Sequence, residues 1–177
     1  MKICVFCGSS SGNNPIYADS AKELGSLIAR QKHSLVYGGG NIGLMGIVAD
    51  SVLENKGEVI GVIPKFLMDR EVGHIGLTSL EIVTSMHERK KRMADLSDAF
   101  VAIPGGWGTL EEIAEILTWK QLGLISQPVA VLNVNGFFNP LLEQMRLMVK
   151  DGFLHEQNFL SIKTSETPAG ILSSLIP

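Results

Sequence analysis

Short apolar runs alternate along the chain with stretches of helical period. The strand-like runs are Ile3–Cys7, Leu35–Tyr37, Val59–Ile63, Leu80–Val83, Phe100–Ile103 and Val129–Leu132, with a weaker one at Phe159–Ile162. Helical patterns lie between them, near Tyr17–Arg30, Leu44–Asn55, Met86–Ser97, Leu110–Leu122 and Pro140–Lys150, and a last one spans Pro168–Leu175. Strands that are apolar on both faces and alternate with helices predict a parallel sheet covered on both sides. No repeat, low-complexity segment or linker interrupts the pattern. The expectation is a single α/β domain over residues 1–177, a Rossmann-like doubly wound parallel sheet with helices on both faces.

In such folds ligands bind beyond the carboxyl ends of the strands, and the glycines of this chain gather there. The first strand runs into Gly8-Ser9-Ser10-Ser11-Gly12, the second into Gly38-Gly39-Gly40-Asn41-Ile42-Gly43, and the Phe100 strand into Pro104-Gly105-Gly106-Trp107-Gly108-Thr109. Helix N-termini with unpaired N–H groups favour an anion, and phosphate is the default ligand. Gly38-x-Gly40-x-x-Gly43 matches a dinucleotide fingerprint, but it follows the second strand. The next strand ends in Val62-Ile63-Pro64-Lys65, without the acid that would hold a ribose. No G-x-x-x-x-G-K-[ST] is present, which argues against a P-loop triphosphatase. A nucleoside monophosphate or a sugar phosphate fits better.

Composition narrows the field further. With 177 residues, 45% hydrophobic and 19% charged, the chain can bury a core unaided. A net charge of -3 argues against a non-specific nucleic-acid binder. The pair Cys4 and Cys7 has C-x-x-C spacing, but inside an apolar strand the two thiols face opposite sides, so buried inert cysteines are expected. The N-terminal apolar run is too short for a signal peptide. The long uncharged stretch from Gln121 to Leu142 carries Gln, Asn, Gly and two prolines, so a membrane span is not expected and a cytoplasmic location is. The four histidines show no metal-ligand spacing, and no G-x-S-x-G elbow occurs, so neither a metal nor a cofactor is implied.

Two helices carry candidate chemistry. After the capping pattern Ser85-Met86-His87-Glu88, residues Glu88, Lys91, Arg92 and Asp95 form a polar face, while Met86, Arg89, Met93 and Leu96 form an apolar stripe with Lys90 beside it. Arg89 and Lys90 therefore point inward, where a cation needs an anionic partner, and the planar fork of Arg89 suits phosphate or carboxylate. In the second helix Thr109-Leu110-Glu111-Glu112 is again a capping pattern. Spacing alone reads Glu112 as the residue that caps the helix start. The anion-ready glycine turn just before it suggests a catalytic carboxylate instead.

These residues resemble the LOG (Lonely guy) family. Pro104-Gly105-Gly106-Trp107-Gly108-Thr109-Leu110-Glu111-Glu112 matches its P-G-G-x-G-T-x-x-E signature, and Met86-His87-Glu88-Arg89-Lys90 matches the companion M-H-x-R-K. The glycine turns at Gly8 and Gly38 to Gly46 match as well, so the resemblance covers nearly the whole chain. It implies a cytokinin riboside 5'-monophosphate phosphoribohydrolase, cleaving N6-substituted AMP, and AMP itself, into free base and ribose 5-phosphate without a cofactor. It implies a homodimer with each site near the interface. Arg89 and Glu112 are the implied catalytic pair. The implied substrate contacts are Glu71, Arg89, Lys90, Thr118 and the turn Gly106, Trp107, Gly108, Thr109, Leu110, Glu111 and Glu112. Trp107 stands where Tyr is commoner. A non-catalytic nucleotide or pterin-cofactor carrier on the same fold is the alternative. A lysine decarboxylase, the label often given to this family, finds no support as a pyridoxal phosphate site.

Overall fold

The computed structural model describes residues 1–71 and 73–175; the side chains of residues 69–71 fall outside the described set, Glu71 among them. Seven strands form one parallel sheet: β1 (Lys2–Phe6), β2 (Ser34–Tyr37), β3 (Glu58–Pro64), β4 (Ser79–Val83), β5 (Ala99–Ala102), β6 (Val129–Leu132) and β7 (Ile162–Ser165). Their order is β4-β3-β2-β1-β5-β6-β7. The chain winds outward in one direction from β1 and in the other from β5, so the switch point lies between these two central strands. A crevice at their carboxyl ends follows from that topology.

Alternation of side chains along the strands sends them into two cores. On one face, Ile3, Leu35, Val59 and Val101 pack against α1 (Pro15–Arg30), α2 (Gly43–Glu54) and α8 (Pro168–Leu175). On the other, Cys4, Val36, Phe100 and Val131 meet α4 (Met86–Asp95) and α5 (Trp107–Gln121). The helices therefore cover both faces, as the apolar runs require. α3 (Lys65–Glu71), α6 (Asn139–Lys150) and α7 (Glu156–Leu160) complete the layers. No described helix is long and apolar enough to cross a membrane.

Two departures from the sequence pattern have physical causes. The weak strand expected at Phe159–Ile162 is instead the end of α7 followed by β7. β7 is an edge strand whose Lys163 and Thr164 are exposed, so it presents no apolar run to read. Phe159 instead lies under the Arg146 guanidinium, 5.7 Å from the ring centre. The second departure is α5, which begins at Trp107 rather than Leu110.

Cys4 and Cys7 are buried free thiols that belong to opposite cores. Burial pushes both thiols up, and the Glu112 carboxylate pushes in the same direction against a smaller opposing pull from Arg89. Only the thiolate is nucleophilic. Folded protein treated with iodoacetamide at pH 8 is expected to remain unmodified at both positions, and denatured protein to react at both, as read by mass spectrometry.

Candidate active site

The three glycine turns do different work. Gly8 closes β1 by donating to Pro104 O (3.1 Å), and its own carbonyl accepts the N–H groups of Leu44 (3.1 Å) and Met45 (3.4 Å). Two of the first N–H groups of α2 are thereby satisfied within the protein. Gly43, at φ +60°, lies against the backbone of Ser9 and Ser10, where a Cβ would overlap it. This weakens the physical basis of the dinucleotide fingerprint, because the N–H groups of Leu44 and Met45 at the start of its helix are already bonded to Gly8 O.

The N-terminus of α5 is built differently. Gly106 is its N-cap and supplies no side-chain hydrogen bond, and the ladder begins only at Leu110 N–H to Gly106 O (3.1 Å). The N–H groups of Trp107, Gly108 and Thr109 form the open first turn. Thr109 sits at the third helical position and is buried, yet its Oγ1 has no hydrogen-bond partner among the described residues. A buried hydroxyl in that state carries a desolvation penalty that an incoming acceptor would relieve. Gly105 is kept bare by the same hydroxyl, since a Cβ there would strike Thr109 Oγ1.

Because α5 starts three residues early, Glu112 is not its cap. It stands on the second turn, buried at 8% exposure. The capping reading is corrected accordingly. The other capping pattern does form: Ser85 Oγ accepts Glu88 N–H (3.1 Å), while the Glu88 carboxylate reaches back one residue further, to Thr84 N–H (2.8 Å) and Oγ1 (2.7 Å).

Arg89 is buried at 5% exposure on the inner face of α4. Its Nε donates to Val62 O (3.2 Å) and its Nη2 to Gly38 O (3.1 Å), at the ends of β3 and β2. The guanidinium is thus oriented by main-chain carbonyls, which compensate its burial without neutralising it. Gly38 has no room for a side chain, because a Cβ would coincide with Arg89 Nη2.

Arg89, Glu112 and Thr109 line one cavity of about 140 Å³, together with Cys7, Gly38 and Met45. Gly106, Trp107 and Gly108 form its rim, and a second cavity of about 210 Å³ adjoins it across Gly8, Ser9 and Gly106. Met45 is buried in the core and also walls the cavity. Gly38 is marked by the glycine turn it opens, but its neighbour Arg89 lies far along the chain, and the apolar strand gives no sign that Cys7 reaches the cavity.

Other expected site residues lie elsewhere. Lys90 is buried but turns to Glu111 and Glu115 on α5. Leu110 packs into the core between α4, α5 and the sheet. Thr118 is exposed, bonds Ala114 O (2.8 Å), and faces a separate apolar groove with Leu141 and Met145. Trp107, by contrast, stays at the rim of the cavity, with 88% of its surface exposed. Glu71 ends α3, and its side chain lies outside the described residues; beyond it Gly73 bridges to Gly40 and His74 N–H donates to Gly39 O (3.0 Å), along the second glycine turn.

Gly106 and Gly108 line the cavity, and a Cβ at either would meet no protein atom within 4 Å. The room is there for a ligand. Gly108→Ala is expected to leave the melting temperature unchanged and to weaken AMP binding about tenfold, through loss of close approach to the open N–H groups. Calorimetry beside a thermal melt checks both.

Comparison with known proteins finds relatives over nearly the whole chain. A family model described as "Possible lysine decarboxylase" matches residues 45–175. A probable cytokinin riboside 5'-monophosphate phosphoribohydrolase of Oryza sativa subsp. japonica is 46% identical over 174 residues, covering 98% of this chain and 71% of that protein. A cytokinin riboside 5'-monophosphate phosphoribohydrolase of Arabidopsis thaliana is 50% identical over 153 residues, covering 86% and 72%. Among solved structures, the molybdenum cofactor carrier protein of Chlamydomonas reinhardtii superposes with a TM-score of 0.73 at 22% identity, covering 98% of this chain and 94% of that one. The molybdenum cofactor binding protein of Rippkaea orientalis gives 0.72 at 22%, covering 99% and 97%. At such identity the likeness concerns the fold alone.

Proposed function

The chain belongs to the LOG (Lonely guy) family, and on that premise we propose that it is a phosphoribohydrolase acting on N6-substituted adenosine 5'-monophosphates and on AMP. The observation that carries this reading is the convergence of buried Arg89 and buried Glu112 on one cavity, directly behind the open N-terminus of α5. The 5'-phosphate docks on the N–H groups of Trp107, Gly108 and Thr109, and the Thr109 hydroxyl donates to it. The ribose then lies inward of the phosphate, with its anomeric carbon facing Glu112.

Cleavage of the ribosyl C–N bond builds positive charge on the sugar. The Glu112 carboxylate stabilises that oxocarbenium-like state and takes a proton from the attacking water. The water oxygen bonds to the anomeric carbon, the base leaves with the electron pair of the broken bond and is protonated, and ribose 5-phosphate results. Arg89, held by two carbonyls, orients the nucleotide without reorganising during the reaction. This chemistry calls on no metal or redox cofactor. We place the enzyme in the cytoplasm.

A homodimer belongs to the same reading. Thr118 follows Glu112 by six residues, about 9 Å along the helix and on a different side of it. If both contact substrate, Thr118 serves the site of a second copy.

Incubation with N6-isopentenyl AMP and with AMP is expected to release free base and ribose 5-phosphate, with the unphosphorylated ribosides cleaved at least about a hundredfold more slowly for want of phosphate anchoring. Chromatography of the products checks this. Tight nucleotide binding without turnover would overturn it in favour of the carrier.

A further inference from the structure

The sequence pairs Arg89 with Lys90 on α4, and Glu111 with Glu112 on α5. The structure divides these four residues between two tasks. Arg89 and Glu112 line the cavity, whereas Lys90 and Glu111 do not. The Lys90 ammonium donates to Glu111 Oε1 (2.6 Å) and lies 3.2 Å from Glu115 Oε2. Its side chain is 8% exposed, against 56% for that of Glu111 and 27% for that of Glu115. Glu111 and Glu115 stand one turn apart on α5, and Glu112 follows Glu111 directly.

We infer that Lys90 is a positioning residue, whose ammonium, gripped by Glu111 and Glu115, sets the second and third turns of α5 against α4 and thereby holds Glu112 in register with Arg89. The inference rests on the hydrolase reading and deepens it. Three features support it. The ammonium is buried away from the cavity lining, with a carboxylate on either side. The two carboxylates belong to the helix that carries Glu112 and the open phosphate turn, so movement of this anchor moves both. The grip also persists across the working pH range: burial pulls Lys90 down, but the hydrogen bonds and charges of Glu111 and Glu115 outweigh it and leave the lysine above its ordinary value. A group raised in this way loses its charge, and the contact, only above the usual lysine range.

A positioning role and a substrate contact predict different kinetics. Removing a group that binds the nucleotide raises KM, whereas removing one that aligns the reacting groups lowers kcat. Lys90→Met is expected to lower kcat for AMP about 10- to 100-fold, the scale of a misplaced reacting group, with KM within about twofold of wild type. Glu111→Gln/Glu115→Gln should lose a similar factor, and adding Lys90→Met to it should cost little more, because the three side chains act as one unit. Lys90→Arg should recover most of kcat.

The outcomes separate cleanly. A tenfold rise in KM at constant kcat, additive losses, or unaltered kinetics in Lys90→Met would overturn the inference. Titration calorimetry with ribose 5-phosphate reads the question without turnover: equal affinity in wild type and Lys90→Met supports positioning, and weakened affinity refutes it. That arm also covers a wild-type protein that hydrolyses nothing, which would end the hydrolase reading on separate grounds. If Lys90→Met fails to fold, Lys90→Arg and the single Glu115→Gln variant carry the same comparison.

Discussion

Glu112→Gln is expected to abolish most turnover while leaving the nucleotide bound. The substitution keeps the shape of a buried side chain that faces the cavity. It removes both the negative charge that stabilises the sugar cation and the base that takes the water proton, a contribution of about 10²- to 10⁴-fold. Binding should hold or tighten, since the carboxylate stands within two turns of the phosphate turn and repels the anion. A second effect follows from the same charge. The Cys7 thiol is raised partly by Glu112, so it should titrate lower in the variant. Product chromatography gives the rate, AMP calorimetry gives the affinity, and full activity would reduce Glu112 to a packing residue.

Much of this site was legible from the residue pattern, though the reasons were not always the right ones. The apolar runs locate the central strands because a strand buried on both faces leaves no polar positions. The inward turn of Arg89 and Lys90 follows from their place beside the Met86, Met93 and Leu96 stripe, and both are buried. Their separate destinations could not be read, because periodicity describes one helix and the partners of Lys90 lie on another, 21 residues or more away. Glu112 looked like a cap because Thr109 is a good capping residue in sequence. The helix starts instead at a glycine, which leaves no side-chain signal of its own. That shift of three residues turns a surface cap into a buried carboxylate. The glycine turns mark more than one kind of place: at Gly43 the neighbouring group is backbone, at Gly38 it is a guanidinium, and at Gly106 and Gly108 the space lies open.

Gly38→Ala is the second change from which a large loss is expected, and it tests the site without touching a charged group. Gly38 does not adopt a left-handed conformation, so alanine meets no backbone penalty there. The whole effect comes from the added methyl, which would occupy the place of Arg89 Nη2. The guanidinium must leave its hydrogen bond to Gly38 O, and it cannot swing far, because Nε is tied to Val62 O on the neighbouring strand. A displaced Arg89 misdirects the charge that orients the nucleotide, a loss of about 10²- to 10³-fold in kcat/KM by comparison with other preorganised donors. Overpacking also costs stability, about 1–3 kcal/mol. The two effects are separable, since assays well below the melting temperature read the first and denaturant titration the second. Trimming the obstructing side chain by Arg89→Ala in the Gly38→Ala background should restore stability but not activity. If Gly38→Ala turned over AMP at the wild-type rate, the fixed guanidinium would have no part in the reaction.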